Sequence, residues 1–231
     1  LVGIVISSFT PTALITFPPQ GFSLKWYANI FGSSTHFMDG LVNSLKIGIL
    51  ATAADILLGV TAALSVCRYS FKGKDALLNY YTSPMYVPSV AFAFVLLQVY
   101  SQIGGVSGML RIFIGHLIII LPYIVRNTVS VLHVFNWTLE DAATSMGATP
   151  IQVFFKITLP LLMPILLYVA ITSLIGGLQM FDVPQIITAG SGSPNNSCMT
   201  LIMYLNRLIG SGSKNYGTVS YTHLDAADDK A

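Results

Sequence analysis

The chain has 231 residues, of which 54% are hydrophobic and only 9% are charged. Soluble globular domains carry roughly 25% charged residues, so this composition excludes an ordinary water-soluble fold. The net charge of +2, without any Lys/Arg cluster, excludes a nucleic-acid-binding surface. Two cysteines and four scattered histidines offer no metal-ligand spacing, so we expect neither a metal nor any other cofactor.

Long apolar segments predict an all-α integral membrane protein with spans of roughly 20 residues each. We expect residues 1–6 to be the end of a first helix, and a polar loop with a short interfacial helix at residues 24–31 to follow. Four full spans are then predicted, at residues 41–67, 77–100, 112–132 and 161–181.

The ends of these spans predict their orientation. The basic residues Arg68, Lys72 and Lys74 follow the first full span and mark the cytoplasmic side. Cys67 therefore faces the cytoplasm and Cys198 the outside, so the two thiols cannot pair.

Small and polar residues recur at helical spacing on one face of the first full span, which predicts that the face packs against protein. They are Ser44, Gly48, Thr52, Asp55, Gly59 and Ala62.

Two other features interrupt the apolar pattern. Pro84 and Pro88 should kink or break the second full span. Residues 199–209 form a modest amphipathic stretch, and the chain then becomes polar. We interpret residues 217–231 as a polar tail unrelated to function.

Residues 133–160 lie between two spans on the cytoplasmic side, yet their sequence predicts two short helices. Thr138 is expected to cap the first helix, and Gly147 to end it in a left-handed conformation. Thr149 should cap the second helix in a capping box with the glutamine three positions later. Pro160 is expected to end that second helix. By itself, this pattern fits either an ordinary interfacial hairpin or a docking element.

The loop resembles the EAA loop of permease subunits from binding-protein-dependent ABC importers. That signature is Glu-Ala-Ala, three residues, Gly, nine residues, Ile, one residue and Leu-Pro. An aspartate stands here at the glutamate position, with a glutamate just before it. The residues that carry the resemblance are Glu140, Asp141, Ala142, Ala143, Gly147, Ile157, Leu159 and Pro160.

The resemblance implies a type I permease-like helical bundle over residues 1–216, of which the first helix is partial and the sixth span is missing. It implies a location in the bacterial inner membrane and three kinds of protein partner: cytoplasmic ATPase subunits that bind the loop, a second permease subunit, and an extracytoplasmic substrate-binding protein. This chain itself would be no enzyme. Its only Gly-Lys pair, Gly73-Lys74, lacks the upstream glycine of a phosphate-binding loop.

Two branches of the family share the resemblance. Segments near the start of the chain, at residues 8–9, 16–19, 21–23 and 26–27, and a later one at residues 121–126, resemble spermidine/putrescine-type permeases. By contrast, residues 176–184 and 190–194 resemble permeases of sugar importers. The resemblance therefore implies a small organic cation such as a polyamine as substrate, with a sugar as the alternative.

Three polar residues are candidates for the substrate pathway. Asp55 lies near the middle of a span, where an ionisable residue suggests either a functional site or a hydrogen-bonded acid that holds helices together. Gln179 and Asp182 lie at the outer end of the last span. A secondary transporter would need paired broken helices in an internal repeat, and a membrane enzyme would need clustered catalytic residues. The sequence shows neither pattern.

Overall fold

The fold is built from α-helices throughout the described part of the chain, which in this computed structural model comprises residues 2–12, 21–32, 35–194 and 196–210. The predicted tail at residues 217–231 and residues 16–19 lie outside these ranges. The helices are α1 (Val2–Ser8), α2 (Lys25–Gly32), α3 (Thr35–Arg68), α4 (Lys74–Thr82), α5 (Ser89–Gln102), α6 (Gly108–Leu132), α7 (Thr138–Ser145), α8 (Pro150–Val153), α9 (Leu159–Gln179), α10 (Asp182–Ile187) and α11 (Leu201–Gly210).

Three of the four predicted full spans are continuous apolar helices. Among the described residues, Phe37–Arg68, Gly108–Leu132 and Pro150–Ile187 are long and apolar enough to cross a membrane. The expected interfacial helix is α2, and the amphipathic stretch forms α11. The predicted all-α membrane fold is thus confirmed.

The other predicted span is broken. The helices α4 and α5 form a pair bent by 103°, and a short 3-10 turn at Ser83–Tyr86 joins α4 to the break. Pro84 lies in that turn and Pro88 precedes α5, so both prolines are where the chain leaves the α-helical path. The prediction of a kinked or broken span is confirmed.

The small face of α3 is buried against other helices, as its spacing predicts. Thr52 donates a hydrogen bond to the Ser173 hydroxyl of α9 at 3.0 Å. Gly48 packs directly against Gly177, and the Ser44 hydroxyl accepts the backbone N–H of Leu201 at 2.9 Å. Small side chains let the helix backbones approach, and interhelical hydrogen bonds join them.

Three apolar clusters form the core of the described residues: one surrounds Met199 and Met203, and the other two lie at different levels of the bundle. Nearer the predicted outer side, α3, α5, α6 and α10 pack around Ile112 and Val183. Nearer the loop at residues 133–160, α3, α6 and α9 pack around Leu132 and Leu162. Both α3 and α6 contribute to these two clusters and therefore run through both levels of the bundle.

Pro160 does not end a helix, contrary to the prediction. It is the second residue of α9, and α8 continues into α9 through a wide turn at Phe154–Thr158. In that turn Leu159 N–H donates to Phe154 O, five residues back. A wide turn of this kind shifts the hydrogen-bond register, so the chain can accept a proline that has no N–H to donate. The loop helix α8 and the spanning helix α9 consequently follow each other without a break in the helical chain.

Candidate functional site

The first loop helix, α7, begins differently from the prediction. Thr138 is its first helical residue, and its side chain is not a cap. Asn136 takes that role, because its side-chain oxygen accepts the Thr138 N–H at 3.2 Å and the Thr138 hydroxyl at 2.6 Å. The error arose because threonine and asparagine are both good caps, and the sequence does not show which one precedes the turn.

The junction between α7 and α8 has the predicted geometry. Gly147 has a φ of +90°, which places it in the left-handed region. Ala148 N–H donates to Ala143 O at 3.0 Å and closes the C-terminal turn of α7. Thr149 and Gln152 then form a reciprocal capping box, with distances of 2.9 and 3.4 Å. The two loop helices therefore have a fixed relative direction.

Glu140 holds this loop to the bundle. Its side chain is only 3% exposed, and its Oε2 lies 2.9 Å from Nη1 of Arg68 at the end of α3. The Thr158 hydroxyl donates a hydrogen bond to Glu140 Oε1 just before α9. We call these three residues the Glu140 cluster. Asp141, which the resemblance aligns with the signature glutamate, is exposed instead.

Several large apolar side chains of the loop are exposed. Met146 is 88% and Ile151 is 71% exposed, and Val134 and Phe155 are also exposed. The remaining signature residues differ in their exposure to solvent. Ala142 and Pro160 are exposed, whereas Ala143, Ile157 and Leu159 are partly buried. Exposed large apolar side chains, when they form one patch, typically mark a protein-interaction surface.

The three predicted pathway residues have three different environments. Asp55 is fully buried, with His116 Nε2 of α6 4.0 Å from its Oδ2. Gln179 is exposed at the end of α9. Asp182 begins α10 and accepts a hydrogen bond from the Ser89 hydroxyl of α5. No sequence pattern predicts that His116 pairs with Asp55, because the two residues are far apart along the chain.

A cavity of about 230 Å³ lies between α6 and α9, and the sequence reasoning missed it. Its polar lining comes from Tyr123 and Asn127 on α6 and from Tyr168, Thr172 and Ser173 on α9; the rest is Ile120, Ile124 and Val169. The spacing of four residues in Tyr123/Asn127 and in Tyr168/Thr172 was a usable signal, since it puts each pair on one helix face. None of the lining side chains is charged.

A known family matches most of the chain. The family described as "Binding-protein-dependent transport system inner membrane component" matches residues 55–218. The chain belongs to this family. The resemblance found in the sequence is confirmed, and so is the predicted location in the inner membrane.

Relatives from both expected branches are similar to the chain. The putrescine transport system permease protein PotI of Escherichia coli K12 is 32% identical over 168 residues, covering 70% of this chain and 59% of PotI. The spermidine/putrescine permease protein PotC of Haemophilus influenzae is 29% identical, covering 63% of this chain and 56% of PotC. The trehalose permease protein SugB of Mycobacterium tuberculosis is 31% identical, covering 66% and 56%. The chain thus spans less than three fifths of the length of these relatives.

Solved structures share the fold. A bacterial alginate ABC transporter, in complex with a periplasmic protein that carries an alginate pentasaccharide, matches with a TM-score of 0.74 and 16% identity, covering 99% of this chain and 82% of that chain. A second alginate-importer structure matches with a TM-score of 0.67 and 17% identity, covering 92% and 81%. At these identities the likeness concerns the fold alone.

Proposed function

We propose that this chain is the transmembrane permease subunit of an ATP-driven solute importer, and that residues 133–160 dock onto a separate ATPase. The observation that carries the proposal is the loop itself. Its inner side is tied to α3 and α9 by the Glu140 cluster, while its outer side exposes Met146 and Ile151. A partner that covers the outer side could therefore push on two spans at once.

The other partners follow from the family. A second permease subunit would complete the pathway, and an extracytoplasmic binding protein would deliver the substrate. Both proposals are supported by the family description and by the periplasmic protein in the alginate transporter complex. ATP hydrolysis belongs in this scheme to the ATPase subunit, so this chain converts loop displacement into helix movement.

The docking proposal is tested by placing charges on the apolar outer surface. We expect Met146→Asp combined with Ile151→Asp to lower the ATPase activity that co-purifies with the tagged chain at least about tenfold, because each unpaired carboxylate would be buried at the interface. The chain should still accumulate in the membrane. Tyr69→Asp is the matched control, since Tyr69 is an exposed residue in the other loop on the same side.

Either of two results would refute this docking site. The double variant could retain its full ATPase partner, which would show that the loop surface is not covered. Alternatively, Tyr69→Asp could release the ATPase to the same extent, and the basic loop at residues 69–73 would then be the contact.

We propose the cavity between α6 and α9 as part of the substrate pathway, with a small organic cation such as a polyamine as the substrate. The tyrosine rings of the cavity offer π faces for an ammonium group, and its amide and hydroxyl groups offer hydrogen-bond acceptors. The similarity to PotI and PotC supports this substrate class. A sugar is the second candidate, because aromatic faces with uncharged hydrogen-bonding groups also suit a sugar and because SugB is similar.

Opposite charges at Asn127 separate the two candidates. If the substrate is a cation, Asn127→Lys should reduce putrescine uptake at least about tenfold through repulsion in a low-dielectric site, whereas Asn127→Asp should preserve it. If the substrate is a sugar, the two variants should impair trehalose uptake to similar extents. Ser130→Lys is the control, because Ser130 is an exposed residue of the same helix that does not line the cavity.

A further inference from the structure

A carboxyl group and an imidazole lie buried together where α3 and α6 meet. Asp55 Oδ2 and His116 Nε2 are 4.0 Å apart, and both residues are 0% exposed. None of the four polar atoms of these side chains has a hydrogen-bond partner in the described part of the chain. We call these two residues the Asp55 pair.

Among the described residues, no other charged side chain forms an ion pair with either group. On α3 the nearest charged residues are Lys46 and Arg68, and on α6 they are Arg111 and Arg126, all at least five positions away; the nearest uncharged ionisable residues, Cys67 and Tyr123, are also at least five positions away. The facing helix α9 contains Tyr168 as its one ionisable residue. An isolated charge in a membrane interior is costly, so the two groups must be neutral as a unit. One titratable proton, carried by either of the two groups, achieves this.

The pair lies beside a close contact of three helices. A Cβ added to Gly177 of α9 would lie 2.7 Å from His116 Cε1 and 2.8 Å from Gly48 Cα of α3. The imidazole is therefore enclosed by α3, α6 and α9 at once. Any sliding of α3 along α6 would increase the 4.0 Å separation between the carboxyl and the ring and weaken the electrostatic attraction between them.

The same helix, α3, connects this contact to the docking loop. Its last residue, Arg68, is bound to Glu140, and Thr52 is hydrogen-bonded to Ser173, a residue of the cavity lining. A displacement of the loop thus reaches α3 at one end and the cavity wall near its middle. The displacement moves the cavity wall only if α3 moves as a rigid helix and does not slide along α6.

We infer that Asp55 and His116 are positioning residues that form a buried pair with no net charge, hold α3 in register with α6, and so transmit loop displacement to the cavity without contacting the substrate. This inference rests on the proposed function. It gives Asp55 a different role from the cation-binding one that a lone carboxylate in a span suggests. With its carboxyl fully buried and turned towards His116, Asp55 is not among the residues that line the cavity.

The pairing is tested first by stability, which does not depend on transport. In the purified protein, Asp55→Asn and His116→Gln should each lower the melting temperature by about 5 °C or more, because each leaves a buried polar group unpaired. The double variant Asp55→Asn/His116→Gln can form an amide pair and should recover most of the loss. Additive losses in the double variant would overturn the pairing.

The positioning role is tested by coupling in the complete transporter, reconstituted with its ATPase and supplied with putrescine or trehalose. Each single variant should lower the amount of solute moved per ATP about fivefold, within the range typical of coupling residues, while the KM for solute changes less than twofold. The double variant should restore the ratio. A merely structural residue would change the amount of folded protein and leave this ratio unaltered.

Three outcomes would overturn the inference. Single variants could couple as well as the unaltered protein, or Asp55→Asn could raise the KM strongly at constant coupling, which would mean that Asp55 contacts the solute. If the single variants do not accumulate, two double variants test the pairing instead: the exchange Asp55→His/His116→Asp and the amide pair Asp55→Asn/His116→Gln. If neither double variant accumulates as folded protein, the pairing is refuted. A transporter that moves neither solute would refute the proposed substrates, while the stability cycle would still test the pairing.

Discussion

The Glu140 cluster and the Asp55 pair each contain a buried acid that lies beside a basic side chain of another helix. The two sites differ in what surrounds the acid. Glu140 forms an ion pair at 2.9 Å with Arg68, which is 48% exposed, and it accepts a hydrogen bond from the Thr158 hydroxyl. Asp55 and His116 are 4.0 Å apart, fully buried and without other partners.

This difference shows how distance from water determines the chemistry of a helix contact. At the end of α3, water can solvate the outer side of the guanidinium, so a permanently charged arginine is tolerated beside a buried carboxylate. In the middle of the bundle a permanently charged side chain would cost much free energy, so the basic partner must be able to become neutral. Histidine is such a residue. We therefore expect the two contacts to respond differently to substitution.

The largest effect should come from breaking the charged contact. Arg68→Met leaves the Glu140 carboxylate buried with only Thr158 as partner, and we expect it to lower the free energy of unfolding by about 3 kcal/mol. This is the lower end of the range for broken buried pairs, since Arg68 is half exposed. Chemical unfolding in detergent micelles measures the change. Arg126→Met, at an exposed arginine of α6, should cost less than about 0.5 kcal/mol, and an equal loss in both would contradict the cluster.

A smaller effect is expected from crowding the Asp55 pair without altering its charge. Gly177→Ala would place a methyl group 2.7 Å from the His116 ring and 2.8 Å from the α3 backbone. Overpacking of this kind costs about 2 kcal/mol, measurable by the same unfolding experiment. In the control Gly176→Ala, the new methyl group meets only the flexible end of Ile120, at 3.2 Å. If the two alanines were equally harmless, the contact would not be tight.

Loss of the left-handed backbone conformation should destabilise the loop at Gly147, where no neighbouring atom packs against the glycine. Gly147 has a φ of +90° and no atom within 4 Å of an added Cβ, so Gly147→Ala should cost about 1 kcal/mol from conformational strain alone. It should also weaken ATPase co-purification by redirecting α8. Gly104→Ala is matched, because Gly104 has equally open space but no positive φ, and it should be neutral. Equal stability of the two variants would show that α7 does not need its left-handed end.

The smallest effect concerns rate rather than stability. Cys198 is 1% exposed, and its burial raises the pKa of its thiol, despite smaller opposing contributions from Ser197 and Arg111. Because the thiolate is the reactive form, a maleimide should label Cys198 more slowly than a free cysteine at pH 7. The labelling rate should rise as the pH is increased through the raised pKa. Fast labelling of the folded protein at pH 7 would contradict this burial.

Sequence patterns were sufficient where the information is local. Spans follow from apolar length, the break before α5 from Pro84 and Pro88, and the end of α7 from Gly147. The predicted cap at Thr138 and the predicted helix end at Pro160 were wrong for the same reason. Each residue type has several permitted positions near a helix terminus, and neighbouring hydrogen bonds decide among them.

The sequence determined by itself that this is a helical membrane protein with two short capped helices in one loop, because hydrocarbon length and helix capping act over short stretches of chain. The transport family followed from the resemblance of that loop to a known signature. The tertiary structure alone decided that Glu140 rather than Asp141 is buried, that Asp55 meets His116, and that two tyrosines, an asparagine and a threonine share one cavity. These contacts join residues of different helices. Which faces meet depends on how small residues such as Gly48 and Gly177 let the backbones approach.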